Sequence, residues 1–381
     1  MAEKVMVVYG TRPEAIKCAP VIDALRAHRE LEPCCVITGQ HTEMLDQVNS
    51  LFGITPDANL QVFEGGQGLN RLAGKILDRL DPILGEFNPS AILVQGDTTT
   101  VTAAALASFH QQIPVIHLEA GLRSGDLRSP FPEEGNRRIV SQITDLHLAP
   151  TASSRDNLLR EGVAVEKIAV TGNTVIDALN VATALPATFE DPILADAISA
   201  RRKILLVTAH RRENWGQPME NIGQALREIA LENPELLIAY PMHGNPKIRE
   251  VILPWISDLP NVHFVEFLDY LRFSHLLAAS HLVLTDSGGV QEEAPSLGKP
   301  VLVLRENTER PEAVSAGTVK LIGTETGRII SEVNTLLTET SAYQAMAAAV
   351  NPYGDGQAAK RCVGAIADLL GVGERLPDFA S

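Results

Sequence analysis

Twelve short apolar runs, each closed by turn residues and followed by a helical pattern, constrain the fold of this chain more than any other feature. The first six are KVMVVYG, CCVITG, SAILVQGD, PVIHLEA, DLHLAP and KIAVTGN; the second six are ILLVTAH, LLIAYPMHGN, NVHFVE, HLVLTDSGG, PVLVL and VKLIG. Strands apolar along their whole length are covered on both faces, as in parallel sheets with crossover helices. The expectation is an α/β protein with two doubly wound, Rossmann-like domains, because 381 residues exceed what one core usually fills. The change-over falls near VTGNTVIDALNVATALPATFEDP. In such sheets ligands collect beyond the carboxyl ends of the strands, so the polar residues after each run are the ones to inspect.

Composition removes several classes of partner. The net charge of −15 disfavours nucleic acid and anionic membranes, and 4% aromatic residues disfavour a base-stacking platform. A small anionic ligand needs only a local cluster of arginines and amides, and stays open. Cys18, Cys34, Cys35 and Cys362 show no CxxC spacing, which fits a reducing compartment. The five-residue apolar run near the start is too short for a signal sequence, so a cytoplasmic protein is expected.

Several strand ends carry chemistry-bearing residues. Gly10-Thr11-Arg12-Pro13-Glu14-Ala15-Ile16-Lys17 is a glycine turn opening a helix. Its amides with Arg12 and Lys17 suit a phosphate, or it is a plain turn with a helix-surface lysine. Neither a GxGxxG fingerprint nor a P-loop motif occurs. Asp97 is either an N-cap or an acid at its strand end. Glu119 lies within PVIHLEAGL, where a buried carboxylate is costly unless paired or used.

Residues 117–138, HLEAGLRSGDLRSPFPEEGNRR, then gather acids and arginines. Glu133 and Glu134 precede Arg137 and Arg138 by four residues, the spacing of surface ion pairs on a helix. Pro130 and Pro132 stand where a helix start tolerates proline. Asp97, Glu119 and Glu133 are also compatible with an acid/base set. In the second half His210, with Arg211 and Arg212, suits a diphosphate or a capping role, and His243 reads as structural. Asp286-Ser287-Gly288-Gly289 is a tight strand-to-helix turn whose amides would face an anion, with Glu293 on the ensuing helix.

Together the segments GTRPEAIK, TGQHTEMLD, VQGDTTT, HLEAGLRSGD, PFPEEGNRR, TGNTVIDAL, AHRRENWG, DSGGVQEEAPSLGKPVLVLRENTERPEA and NPYGDG resemble the non-hydrolysing UDP-N-acetylglucosamine 2-epimerases of bacteria. That family has the two-domain GT-B fold with its active site in the interdomain cleft. The resemblance implies a first domain, 1–172, with the acid/base residues, and a UDP-binding domain, 173–357. A C-terminal helix, about 358–381, would pack back on the first.

The resemblance further implies reversible inversion at C2 of UDP-GlcNAc to UDP-ManNAc, by loss of UDP to 2-acetamidoglucal and its re-addition. Asp97, Glu119 and Glu133 match the acid/base carboxylates, and His210 the residue that steadies departing UDP. Arg12, Lys17, Arg137, Ser287, Gly288 and Gly289 match positions holding UDP or the active-site charges, and Glu293 one on the ribose hydroxyls. No cofactor, neither metal nor nicotinamide, is implied. The family implies a homodimer, and its product feeds polysaccharide synthesis.

Some members are activated by a second UDP-GlcNAc. Gln40, His41 and His243 match its contacts, whereas Glu43 and Gly66 replace a Gln and an Arg of that pattern, and Gly244 replaces an apolar residue. The rivals are a GT-B glycosyltransferase, which shares the UDP grip but needs fewer acids on the first domain, a hydrolysing epimerase releasing ManNAc and UDP, and a non-catalytic nucleotide-sugar sensor.

Overall fold

A computed structural model describes residues 2–39, 42–242, 246–265, 268–308 and 310–380. The chain divides into two compact units, Met1–Ala178 with Tyr353–Ser381, and Leu179–Pro352. All twelve apolar runs are strands, and the two-unit α/β class is as the sequence leads one to expect.

In the first unit the strands are β1 (Glu3–Tyr9), β2 (Leu31–Ile37), β3 (Ala58–Asn59), β4 (Ala91–Gln95), β5 (Val115–Leu118), β6 (Leu146–Ala149) and β7 (Ile168–Val170). Among the described residues they form one parallel sheet in the order β3-β2-β1-β4-β5-β6-β7. The winding reverses between β1 and β4, so right-handed crossovers send helices to opposite faces. Leu69–Phe87, Thr99–His110 and Glu133–Gln142 pack together, while Arg12–Ala27 packs with Ala358–Leu369. Burial from both sides leaves Ala91 to Val94 of β4 with no exposed surface, which is why that run reads as continuously apolar.

Past its last helix the chain follows the outer strand. Phe379 N–H donates to Val170 O at 2.7 Å, and Val170 N–H donates to Asp378 Oδ1 at 3.1 Å, so the β7 edge is covered.

The second unit repeats the plan with β8 (Ile204–Thr208), β9 (Leu237–Pro241), β10 (Val262–Val265), β11 (Leu282–Thr285), β12 (Val301–Val303) and β13 (Val319–Leu321). The order is β10-β9-β8-β11-β12-β13, again parallel, with the reversal between β8 and β11. Gln217–Glu232 packs with Pro246–Ile256 and Thr326–Thr338; Gly288–Ser296 packs on β11 and β12. Among the described residues no helix is long and apolar enough to cross a membrane.

Candidate active site

Each unit gathers polar residues at its own winding reversal, where no crossover covers the strand ends. In the first unit Glu119 immediately follows β5 with φ of 65°, a left-handed conformation that a residue with a Cβ adopts only at a cost. Its carboxylate is almost wholly buried and fully engaged. Lys17 Nζ donates to Oε1 at 2.5 Å, Asn173 Nδ2 to Oε1 at 3.1 Å, and Gln95 Nε2 to Oε2 at 2.5 Å. Lysine, amide and amide thus compensate for the water Glu119 has lost.

Asp97 stands two residues past β4, after Gly96, whose φ of 83° turns the chain sharply. Removal from water pushes the Asp97 carboxyl above its ordinary pKa; Arg137 opposes this, and the charges of Glu119 and Glu133 add to it. The three acids are therefore one electrostatic group. Arg137 Nε lies 3.7 Å from Asp97 Oδ2, and Asn136 Nδ2 donates to Asp97 O at 2.7 Å. Glu133 opens the helix Glu133–Gln142, and its Oε2 is buried without a hydrogen-bond partner among the described residues.

The charged stretch 117–138 divides between the two roles its sequence allowed. Glu134, fully buried, accepts from Arg138 Nε at 3.1 Å and from Ser124 N–H at 3.0 Å, with Arg137 Nε at 3.4 Å. Arg123 makes a fork to Glu161 at 2.8 and 2.7 Å. These pairs hold the loop, whereas Asp97, Glu119, Glu133 and Arg137 converge.

Arg12 begins the helix Arg12–Ala27, half-buried. The turn before it is fixed by Glu14, whose Oε2 accepts from Gly10 N–H at 2.6 Å and Thr11 N–H at 2.9 Å, and whose Oε1 accepts from the Thr98 hydroxyl at 2.5 Å. One buried carboxylate thereby ties the end of β1 to the end of β4.

In the second unit Asp286 follows β11 and is fully buried. Its Oδ2 accepts from His210 N–H at 2.9 Å, Arg211 N–H at 2.8 Å and Asn214 Nδ2 at 3.0 Å, and its Oδ1 lies 3.5 Å from His210 Nδ1. The helix Gly288–Ser296 starts here with Ser287 as N-cap, so its first amides have no carbonyl partner within the helix. A Cβ on Gly288 would stand 2.6 Å from Arg310 Nη1, and Arg310 Nε is bonded to Glu292 at 2.6 Å. Glu293, buried on the same helix, accepts from Tyr270 Oη at 2.9 Å. An anion-binding helix end, a guanidinium, an imidazole and a carboxylate stand together.

A family model described as UDP-N-acetylglucosamine 2-epimerase matches residues 23–367. The chain belongs to the UDP-N-acetylglucosamine 2-epimerase family. Among UDP-N-acetylglucosamine 2-epimerases, that of Salmonella typhimurium is 52% identical over 95% of this chain and 98% of its own length. That of Escherichia coli K12 is 50% identical over 95% and 98%. The Neisseria meningitidis UDP-GlcNAc 2-epimerase, solved bound to UDP-GlcNAc, superposes with a TM-score of 0.86 at 47% identity, covering 96% of this chain and 100% of that one. S. aureus MnaA, solved with UDP, gives 0.89 at 45% identity over 99% and 100%.

In this UDP-N-acetylglucosamine 2-epimerase family member the sequence motifs point to candidate acids but not to what holds them. Gln95 and Asn173 escape that reading because each acts through Glu119, distant in sequence, and the buried bonds of Glu14 to Thr98 and of Asp286 to Asn214 appear only in the fold. Gln40, His41 and His243 lie outside the described residues. Gly66 stands in an open turn with φ of 75°.

Proposed function

We propose that the chain inverts C2 of UDP-GlcNAc reversibly, giving UDP-ManNAc without net hydrolysis. The observation that carries this reading is the carboxylate set of the first unit, in which Asp97 feels both Glu119 and Glu133. The C2 proton is not acidic, since that carbon bears an acetamido group and no carbonyl. Its removal is therefore coupled to loss of UDP. A carboxylate takes the proton, the C1–O bond breaks with its electron pair leaving on the diphosphate, and a C1=C2 double bond forms in 2-acetamidoglucal. Protonation of C2 from the opposite face and return of UDP to C1 complete the inversion, with every atom accounted for.

Two faces require two acid/base groups in different protonation states. A carboxyl pushed up by burial, as in Asp97, and a carboxylate paired with an ammonium, as in Glu119, supply both. Arg137 and Lys17 balance the charge of this set. In the second unit the amides beyond Ser287, at Gly288 and Gly289, take the diphosphate, Glu293 takes the ribose hydroxyls, and His210 steadies departing UDP. The reading includes a cytoplasmic homodimer that supplies polysaccharide synthesis and needs no metal or nicotinamide.

The test is proton NMR of the purified protein with UDP-GlcNAc in heavy water. UDP-ManNAc formation with deuterium entering at C2 and little free sugar is expected. An unchanged C2 proton with no UDP-ManNAc would overturn the reading.

A further inference from the structure

His117 sits on β5, two residues before Glu119, with no exposed surface. Its Nε2 lies 2.7 Å from Gly96 O. A carbonyl only accepts, so Nε2 carries the hydrogen. Burial, with Arg123 and Arg137 nearby, lowers the imidazole pKa to about 4 against the raising effects of Gly96 O and Glu119, so the ring is neutral at neutral pH. Its Nδ1 is then a bare acceptor, buried without a partner among the described residues. His117 pairs along the sheet with Val94 and His147, a position where an apolar side chain would leave no nitrogen unpaired. The reason for a histidine here is its Nε2–H.

That hydrogen bond falls on the turn that carries Asp97. Gly96 N–H already donates to Leu118 O at 3.0 Å, and Asn136 holds Asp97 O from the other side. With His117 on Gly96 O, both carbonyls of the Gly96–Asp97 pair are clamped. We propose that His117 is a positioning residue for the reaction: its Nε2–H holds the Gly96 carbonyl and so sets where the Asp97 carboxyl stands relative to Arg137 and Glu119. β5 then carries Glu119 at its end and places Asp97 through His117, so one strand fixes the spacing of two acids. This inference rests on the acid/base reading of Asp97 given above.

His117→Leu removes the donor, and His117→Gln returns one, because the Gln amide nitrogen reaches the position of Nε2. Leu is expected to lower kcat on the order of 10- to 100-fold, the scale of a misplaced catalytic group, with KM and the UDP Kd unchanged. Gln is expected to restore most of kcat. Asp97→Asn separates this from the underlying reading: full turnover by that variant overturns the acid/base role. Full turnover by His117→Leu beside an inactive Asp97→Asn overturns only the present inference. Equal loss in the Leu and Gln variants also overturns it, since packing alone would then explain the position. If His117→Leu does not fold, nitrogen-15 NMR of the wild-type imidazole decides, with the Nε2–H tautomer expected and Nδ1–H contradicting the clamp.

Discussion

His210 Nδ1 lies 3.5 Å from Oδ1 of Asp286, whose other oxygen accepts from the backbone N–H groups of His210 and Arg211. One buried aspartate thus fixes the main chain at the histidine, turns its second oxygen towards the ring, and joins the end of β8 to the end of β11. The placing of the imidazole therefore depends on a residue that need not touch substrate.

Asp286→Asn should reduce kcat/KM mainly through His210. In a double-mutant cycle, the Asn substitution is expected to cost about 1 kcal/mol or more less in a His210→Ala background than in wild type. Equal losses in both backgrounds would mean that Asp286 serves the loop alone. Steady-state kinetics on four proteins suffice.

How much of this was legible beforehand depended on the kind of residue. The parallel strands were readable because burial on both faces makes them continuously apolar. β3 was not, since Ala58–Asn59 is two residues long with no apolar run to mark it. Asp97, Glu119 and His210 stand at strand ends, where the topology says to look. Gln95 hides as the last residue of an apolar run, and Asn173 meets Glu119 across 54 positions. Such partners become visible only once the sheet order is known.

Arg137→Met removes the charge that opposes the burial of Asp97, so the Asp97 pKa should rise further. Whether Asp97 works as base or as acid, the limb of the kcat/KM profile that belongs to it moves to higher pH. A profile measured across about pH 5 to 9 should show the shift, on top of a lower plateau. A loss of rate with both limbs in place would assign Arg137 to binding alone.

Glu14 is buried, and loss of solvent raises its pKa despite bonds from Thr98, Gly10 and Thr11. A carboxyl whose folded pKa exceeds its unfolded value stabilises the fold fully below the unfolded value, and loses that contribution as pH rises through the folded one. Wild type should therefore lose stability as pH climbs from the ordinary carboxylate value of about 4.3. Glu14→Gln, which still accepts the two backbone N–H groups and lacks the ionisation, should not. The Tm difference between the two proteins is expected to grow in favour of Gln with rising pH. The opposite slope would show that the hydrogen bonds outweigh burial.

Gly288→Ala places a methyl 2.6 Å from Arg310 Nη1 and 2.8 Å from its Cζ. The guanidinium must move, straining its 2.6 Å bond to Glu292, while the backbone can stay. UDP affinity measured by calorimetry should fall about tenfold, or about 1.4 kcal/mol. Unchanged affinity would separate this helix end from the diphosphate.

Glu119→Gln tests the chemistry with the least disturbance of structure. Gln keeps the side-chain shape, tolerates the φ of 65° no worse than Glu, and still offers an oxygen to Lys17 and Asn173. The facing amide of Gln95 can turn to accept from the new amide nitrogen. What disappears is the capacity to take or give a proton, together with the charge that pairs with Lys17. Turnover should drop on the order of 10²- to 10⁴-fold, the usual contribution of a general acid or base, with the UDP Kd close to wild type and Tm lowered by the broken pair with Lys17. A nucleotide-sugar sensor built on the same fold would lose nothing by this change. Normal turnover in the Gln variant would shift the proton chemistry from Glu119 to Asp97 and Glu133.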